Sequence, residues 1–342
     1  MAGEAWVVVG LDNGGTTNNA TVLDGSGDFL VPDLVEVPSK VTEGTEAALE
    51  ALERSMQEAL AVAGVERARV RAVGLDSPGP ASADGVICSR GATNFEHPSW
   101  YGFDLRGALE TRLGVPVVYN NDGNAAALYA HRRHFGVLAG GRSSVSVVVG
   151  TGLGGGIIEG GRVVKGATGT AGELGHVHIP MEGILEPGQP VPRCNCGFSG
   201  DAESVASLAG IERNLLPYWL SRFPDHELAS VSPRAEAAKM VRSYGEAGDP
   251  MAVRIFEQQA AALGALLTIV ANVVDPHAYF LGGGVVQAGA AFGDWFLEAV
   301  RASTRLREEA AATAVFALVA GLDLAGARGA ALAAGAALPS WP

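Results

Sequence analysis

Apolar residues along this chain fall into short β-branched runs that alternate with longer stretches of helical spacing. Residues 7–10 are a valine run closing on glycine, residues 20–23 read as its return strand, and 30–37 as a third. Residues 46–62 put Leu49, Leu52, Met56 and Leu60 on one helical face. Residues 70–75 read as a buried strand ending at the turn Ser77-Pro78-Gly79-Pro80. A helix over 105–113, closed by Gly114, leads to a strand over 116–119. Beyond it, 124–133 reads as an Ala-rich helix and 144–149 as a β-branched strand. Strands alternating with helices predict an α/β chain.

The strands end in glycine clusters. The first runs into Asp12-Asn13-Gly14-Gly15-Thr16-Thr17. Two glycines between strands predict a tight hairpin with positive φ, which glycine alone tolerates freely. Backbone N–H groups of such a turn can cradle phosphate oxygens, and Asp12 can hold Mg²⁺ directly or through water. The same residues also fit an ordinary hairpin. The pattern recurs where 144–149 enters Gly150-Thr151-Gly152-Leu153-Gly154-Gly155-Gly156 and 157–159 returns. A repeated strand, glycine turn and strand predicts two related halves facing a cleft. A dinucleotide-binding turn would open a helix, so the returning strand argues against one. A third run, Gly282-Gly283-Gly284, follows the apolar residues 278–281. Residues 180–192, rich in glycine and proline, read as an ordered loop or a mobile lid.

Length and charge narrow the classes. A chain of 342 residues exceeds a single core and predicts two domains. A net charge of -13 opposes nucleic-acid binding, which needs a basic surface. The compact basic run His131-Arg132-Arg133-His134 reads as the cap of a helix end. The chain opens without a basic leader segment, and the apolar residues 260–274 are too short to span a bilayer. A core helix there, a cytoplasmic location and no membrane partner are therefore expected. Of three cysteines, Cys88, Cys194 and Cys196, the last two stand one residue apart, which suits a metal or reduced-thiol site better than disulfides.

After the first glycine turn come Asn121-Asp122, then Glu173-Leu174-Gly175-His176, then Cys194-Asn195-Cys196-Gly197-Phe198-Ser199-Gly200-Asp201-Ala202-Glu203. In that order the chain resembles the ROK family of sugar kinases and sugar-responsive repressors, from Val7 to about Leu332. The resemblance implies the actin-like ATPase (ribonuclease H-like) fold, with two α/β domains around a nucleotide and sugar cleft. It sets a smaller domain at 1–119 plus 323–342 and a larger one at 120–322.

The activity implied is ATP-dependent phosphorylation of a primary hydroxyl of a hexose such as glucose. Asp122 would be the general base, accepting the hydroxyl proton as the phosphoryl group transfers. The other reading of Asn121-Asp122 is an Asx turn capping the helix at Asn124, and the two readings are compatible. Asn94, Asn121, Asp122, Glu173, His176 and Glu203 match the family's sugar contacts. Asp12, Gly14, Gly15, Thr16 and Thr17 would meet the phosphates of ATP and its Mg²⁺. Thr151, Gly152 and Gly154 would form the other phosphate turn. Gly283 and Gly284 would lie beside the adenosine, although close strand–helix packing explains such a run as well. The family's zinc site maps to His176, Cys194, Cys196 and, in place of a third cysteine, Asp201; a carboxylate can ligate zinc. His178 is a nearby substitute, and loss of zinc with local packing holding the loop is the alternative.

Residues 181–191 look inserted, and His97 and Trp100 are added near Asn94. These departures surround the substrate, so an amino sugar or a sugar-like C7-cyclitol stands beside glucose. Two other classes fit the sequence less well. A repressor of this family needs an N-terminal DNA-binding domain, for which a hairpin starting at Val7 leaves no room. A catalytically silent sugar-binding protein would not be expected to keep Asp12, Gly14, Gly15 and Asp122. A homodimer is the usual state of the enzymes resembled.

Overall fold

The structure is a computed structural model that describes residues 6–78, 81–87, 95–284, 287–319, 321, 324–339 and 341. In chain order the elements are β1 (Val7–Asn13), β2 (Thr17–Asp24), β3 (Val35–Pro38), α1 (Thr45–Ala63), β4 (Val70–Ser77), α2 (Leu105–Leu113), β5 (Val117–Asn121) and α3 (Asp122–Phe135). There follow β6 (Ser144–Val149), β7 (Leu153–Glu159), β8 (Arg162–Val163), α4 (Leu208–Gly210), α5 (Leu216–Arg222), α6 (Arg234–Glu246) and α7 (Pro250–Val274). The chain ends with β9 (Ala278–Gly283), α8 (Ala290–Ser303), α9 (Glu308–Ala311), β10 (Val315–Leu318) and α10 (Ala325–Ala336).

Among the described residues there are two five-stranded sheets, ordered β3-β2-β1-β4-β5 and β8-β7-β6-β9-β10. The two orders are the same when each sheet's strands are counted along the chain. In the first, β1 is antiparallel to β2 and parallel to β4, which is parallel to β5. In the second, β9 is parallel to both β6 and β10, and β7 is antiparallel to β8. The twin glycine turns thus mark a duplicated mixed-sheet topology. The second turn differs in detail: β7 starts at Leu153, so Gly154, Gly155 and Gly156 belong to the strand and only residues 150–152 form the turn. Of the expected third strand over 30–37, only β3 forms.

Backbone proximity divides the chain into two compact units, Met1–Gly141 with Gly156–Gly172 and Gly321–Pro342, and Arg142–Gly155 with Glu173–Ala320. The first therefore takes in α3, which the sequence division at residue 120 had left with the second. The cause is close helix packing: a Cβ placed on Gly329 of α10 would lie 2.0 Å from the Ala125 carbonyl oxygen of α3.

The first sheet buries different chemistry on its two faces. Val7, Val9 and Leu11 of β1 join Ala20 and Val22 of β2 against Leu49, Leu52 and Met56 of α1. On the opposite face Gly10 and Gly74 are register partners, and α10 lies directly on them. A Cβ would fall 1.9 Å from the Ala327 oxygen at Gly10 and 1.8 Å from the Ala330 oxygen at Gly74.

In the second unit, α7 buries Ile255, Phe256, Leu263, Leu266 and Leu267, and Phe256 meets Phe292 and Phe296 of α8 edge-on. Among the described helices α7 alone is long and apolar enough to cross a membrane, and 61% of its most apolar window is buried within the protein. It begins ten residues before the expected 260, capped by Asp249, which accepts a bond from the Ala252 N–H. The buried Gln258 on α7 donates to the Ile184 carbonyl at 3.0 Å and to Gln189 Oε1 at 2.6 Å. Residues 180–192 are accordingly an ordered loop tied to the core.

Adding one methyl group at Gly74 forces α10 off the sheet. Gly74→Ala should destabilise the protein by about 3 kcal/mol, at the upper end of overpacking costs, read as the urea denaturation midpoint. An unchanged midpoint would contradict this packing.

Candidate functional site

In the first unit, the β1–β2 hairpin carries the first glycine turn. Neither Gly14 nor Gly15 takes a positive φ, contrary to the expectation. Glycine is needed at 14 for room: its N–H donates to the Thr17 carbonyl at 3.1 Å, and a Cβ would stand 2.5 Å from that oxygen. Thr16 is exposed at the tip, with Gly15 and Thr17 half-buried beside it. Asp12 is half-buried at the end of β1, where Asn19 Nδ2 donates to its Oδ2 at 3.1 Å.

Asn121 and Asp122 open α3. Asn121 Oδ1 caps the helix by accepting from the Asn124 N–H at 2.9 Å, so the capping role belongs to Asn121. Asp122 follows in the first turn, where Oδ1 accepts from the Gly123 N–H at 2.8 Å. Its side chain keeps solvent access while protein surrounds it. Desolvation raises its pKa, and the backbone N–H groups of Gly123 and Asp122 offset part of that rise.

The sequence reading missed Asp76. It stands in register beside Asp12 on β4, is 1% exposed, and its Oδ1 has no hydrogen-bond partner. A Cβ at Gly326, in the first turn of α10, would lie 2.8 Å from Oδ2 of both Asp12 and Asp76. Burial, then the charges of Asp12 and Asp122, push the Asp76 carboxyl well above its ordinary range. Asp12 is raised too, by burial and by Asp122, with the Asn19 hydrogen bond opposing.

In the second unit, the Gly150 N–H donates to the Gly152 carbonyl at 2.9 Å, and the N–H groups of Leu208 and Ala209 cap the carbonyls of Gly150 and Thr151. Gly283 has φ 92°, and a Cβ there would sit 2.2 Å from the Val149 oxygen. Thr151 and Gly284 both line a cavity of about 460 Å³, along with Leu208, Ile211, Arg242 and Gln259. The last four residues had no motif to mark them. Gly154 and Gly283 do not line it.

Glu203 links this turn to the thiol loop. Its Oε2 accepts from the Leu153 N–H at 2.9 Å, and the Cys194 thiol lies 3.3 Å from Oε1. Each oxygen retains a lone pair for a further donor. The Glu203 N–H bonds the Gly175 carbonyl at 2.8 Å, drawing the two motifs together. Glu173 is exposed and precedes the single helical turn Leu174–His176.

The atoms of His176, Cys194, Cys196 and Asp201 that could bind a metal all lie within 4.8 Å of one another. His176 Nδ1 is 3.4 Å from Asp201 Oδ2 and 3.9 Å from Cys194 Sγ, and Cys196 Sγ is 3.5 Å from Asp201 Oδ2. Ligands around tetrahedral zinc stand about 3.3–3.8 Å apart, given ordinary zinc–ligand bond lengths. This donor set fits zinc, and His178 is not part of it. Burial pushes the Cys194 thiol strongly up. Burial would raise Asp201 as well, but hydrogen bonds from Cys194, the Ser204 N–H, His176 and Cys196 bring it below its ordinary value. Of the remaining expectations, Asn94, Cys88, Gly79 and Pro80 lie outside the described residues.

The sequence profile of the ROK family matches residues 8–336. The chain belongs to the ROK family. It is 32% identical over 284 residues to a glucokinase of Halalkalibacterium halodurans, covering 82% of this chain and 81% of that one. An N-acetyl-D-glucosamine kinase of Pectobacterium atrosepticum is 31% identical over 283 residues, 81% of this chain and 83% of that one. The crystal structure of a ROK hexokinase from Thermus thermophilus superposes with a TM-score of 0.72 at 34% identity, covering 96% and 97% of the two chains. A ROK glucokinase from Streptomyces griseus, crystallised with glucose and AMPPNP, superposes at 0.66 with 28% identity over 96% and 99%. With two mixed sheets in a duplicated order, the fold is the actin-like ATPase fold of this family.

The buried Asp76 charge has a measurable cost. A carboxyl raised in the folded state penalises folding once pH exceeds its unfolded value, about 4. Asp76→Asn, assayed in EDTA, should therefore raise the denaturation midpoint at pH 7, with the gain fading toward pH 4. A variant no more stable than wild type at pH 7 would contradict the assignment.

Proposed function

We propose that this ROK protein transfers the γ-phosphoryl group of ATP to the primary hydroxyl of a hexose such as glucose, with Asp122 as the general base. The observation that carries the reading is the state of Asp122. The Asn121 cap takes over the helix-end duty, and the Asp122 carboxylate, held in the first turn of α3, stays accessible to solvent. Oδ1 receives the Gly123 N–H, and the solvent-facing carboxylate is placed to accept a hydroxyl proton.

In this reading the remaining residues position and neutralise, which is most of what phosphoryl transfer asks of a protein. The Gly14–Thr17 turn offers backbone N–H groups and hydroxyls to phosphate, and so does the turn at Thr151, Gly152 and Gly154. The cavity beside Thr151 and Gly284 takes the adenosine, with Leu208 and Ile211 as its apolar wall. Asp12 would hold Mg²⁺, whose charge offsets that of the phosphates. Asn94, Asn121, Glu173, His176 and Glu203 bind the sugar hydroxyls as donors and acceptors. An amino sugar is the second reading, favoured by the similarity to N-acetyl-D-glucosamine kinases. Assembly as a homodimer and a cytoplasmic site of action complete the proposal.

His176, Cys194, Cys196 and Asp201 would hold a structural zinc. His176 would use Nδ1 for the metal and keep Nε2 for the sugar. Bound zinc would cross-link the loop that carries Glu203 and displace the Cys194 proton.

Asp122→Asn should lower kcat by about 10²–10⁴, the usual range for a lost base, while sugar still binds by calorimetry. Because burial raises the Asp122 pKa and the base works deprotonated, kcat/KM should fall on the acid side with a midpoint above about 4. Undiminished turnover in the variant would rule out this base. Elemental analysis should find one zinc per chain, and Cys194→Ala should lose it with a lower melting temperature. Metal-free protein of full stability and activity would remove zinc from the account.

A further inference from the structure

Two buried glutamines, Gln258 and Gln259, interrupt the apolar face of α7. Gln258 is satisfied at both ends of its amide. Its Oε1 accepts from the Trp219 indole N–H at 2.8 Å, and its Nε2 donates to the Ile184 carbonyl and to Gln189. Gln259 is satisfied at one end only: Nε2 donates to the Val205 carbonyl at 3.1 Å and to the Ser207 carbonyl at 3.2 Å. These two bonds fix the amide, because turning it over would set Oε1 against two carbonyl oxygens. Oε1 therefore keeps its lone pairs. Gln259 is 1% exposed and lines the cavity of about 460 Å³ beside Thr151 and Gly284. Its Oε1 is not among the polar atoms sealed off without a partner, so it opens into that cavity.

We propose that Gln259 selects the base of the nucleotide: its Oε1 accepts a hydrogen bond from the 6-amino group of adenine. Depth in the cavity favours the base over the rest of the nucleotide. Ile211 and Phe256, both buried, form an apolar floor with Gln259, whereas Gly150, Thr151 and Lys239 are exposed at the mouth. Charged phosphates stay at the mouth, and a flat, largely apolar purine takes the floor. A fixed acceptor there discriminates by chemistry. Adenine presents an amino donor at C6, where guanine and hypoxanthine present an oxygen. Those bases would bring acceptor against acceptor and leave both unpaired, which a buried site rejects strongly. Arg242 Nη1 donates to the Gly284 carbonyl at 2.9 Å and fastens α6 to the glycine run on the cavity's other side. Through Ser207, Gln259 also steadies the segment whose Leu208 and Ala209 N–H groups cap the phosphate turn. The inference rests on the adenosine placement proposed above and adds the residue that chooses the base.

Calorimetric titration of the full chain with ADP, inosine diphosphate and 2′-deoxy-ADP tests this apart from turnover. Inosine diphosphate carries an oxygen in place of the amino group. Wild-type protein should bind ADP about tenfold or more tighter than inosine diphosphate, and 2′-deoxy-ADP about as tightly as ADP. Gln259→Met, similar in volume but without the amide, should largely close the gap between ADP and inosine diphosphate. A merely structural role for Gln259 would weaken both ligands alike and leave their ratio unchanged. Gln259→Leu serves if circular dichroism shows that the first variant does not fold. Equal wild-type affinities for ADP and inosine diphosphate would overturn the proposal, and so would a ratio that survives the substitution. Discrimination against 2′-deoxy-ADP alone would give the oxygen to the ribose and overturn it too. Ile211→Trp, which fills the cavity, separates the two readings. If it leaves ADP binding intact, the adenosine placement and this inference both fall. If it abolishes ADP binding while wild type binds both diphosphates equally, only the base selection falls.

Discussion

Backbone-to-backbone contact between α10 and the first sheet sets the chemistry of the first unit. Gly10 and Gly74 sit side by side on adjacent strands, and the helix answers with alanines. No side-chain layer separates helix from sheet. The first turn of α10 therefore comes down onto the strand ends, where the next residues of the same face are Asp12 and Asp76. A larger residue at either glycine would lift the helix and take its positive end away from these acids. Packing that looks like a core detail thus fixes the electrostatics of a candidate site.

Stability and function pull in opposite directions here. A buried carboxyl with an unbonded oxygen costs free energy unless something binds it. Three acids, Asp12, Asp76 and Asp122, raise one another's proton affinity or are raised by burial. Such an arrangement is a poor way to build a core and a reasonable way to hold a cation and a base. The thiol loop shows the same tension: Cys194 is pushed toward its protonated form, yet its neighbours stand at zinc-ligand spacings.

Much of this was legible in the sequence because the signals were periodic or local. The apolar face of α1, the helix closed by Gly114 and the repeated glycine turns are local patterns, and the fold follows them. The thiol loop was legible through spacing and family resemblance together. What escaped was non-local or broke the usual pattern. Asp76 lies past the strand expected over 70–75, but β4 continues through it to Ser77 and carries its side chain into the sheet's α10 face, a placement that acids seldom take in strands. The reason for Gly14 is contact with Thr17 rather than φ, which only coordinates reveal. The cavity residues Leu208, Ile211, Arg242 and Gln259 come from three separate stretches of chain, so no window could unite them. Departures from local rules clustering at a candidate site is the expected pattern.

The most direct test of the central claim is to follow ADP release from Mg-ATP with glucose, N-acetyl-D-glucosamine and a C7-cyclitol as acceptors, with the product position assigned by ³¹P NMR. The account predicts turnover on one of these acceptors and a phosphate on its primary hydroxyl. Tight ATP binding with no phosphorylated acceptor, or phosphate on a ring hydroxyl, would contradict it.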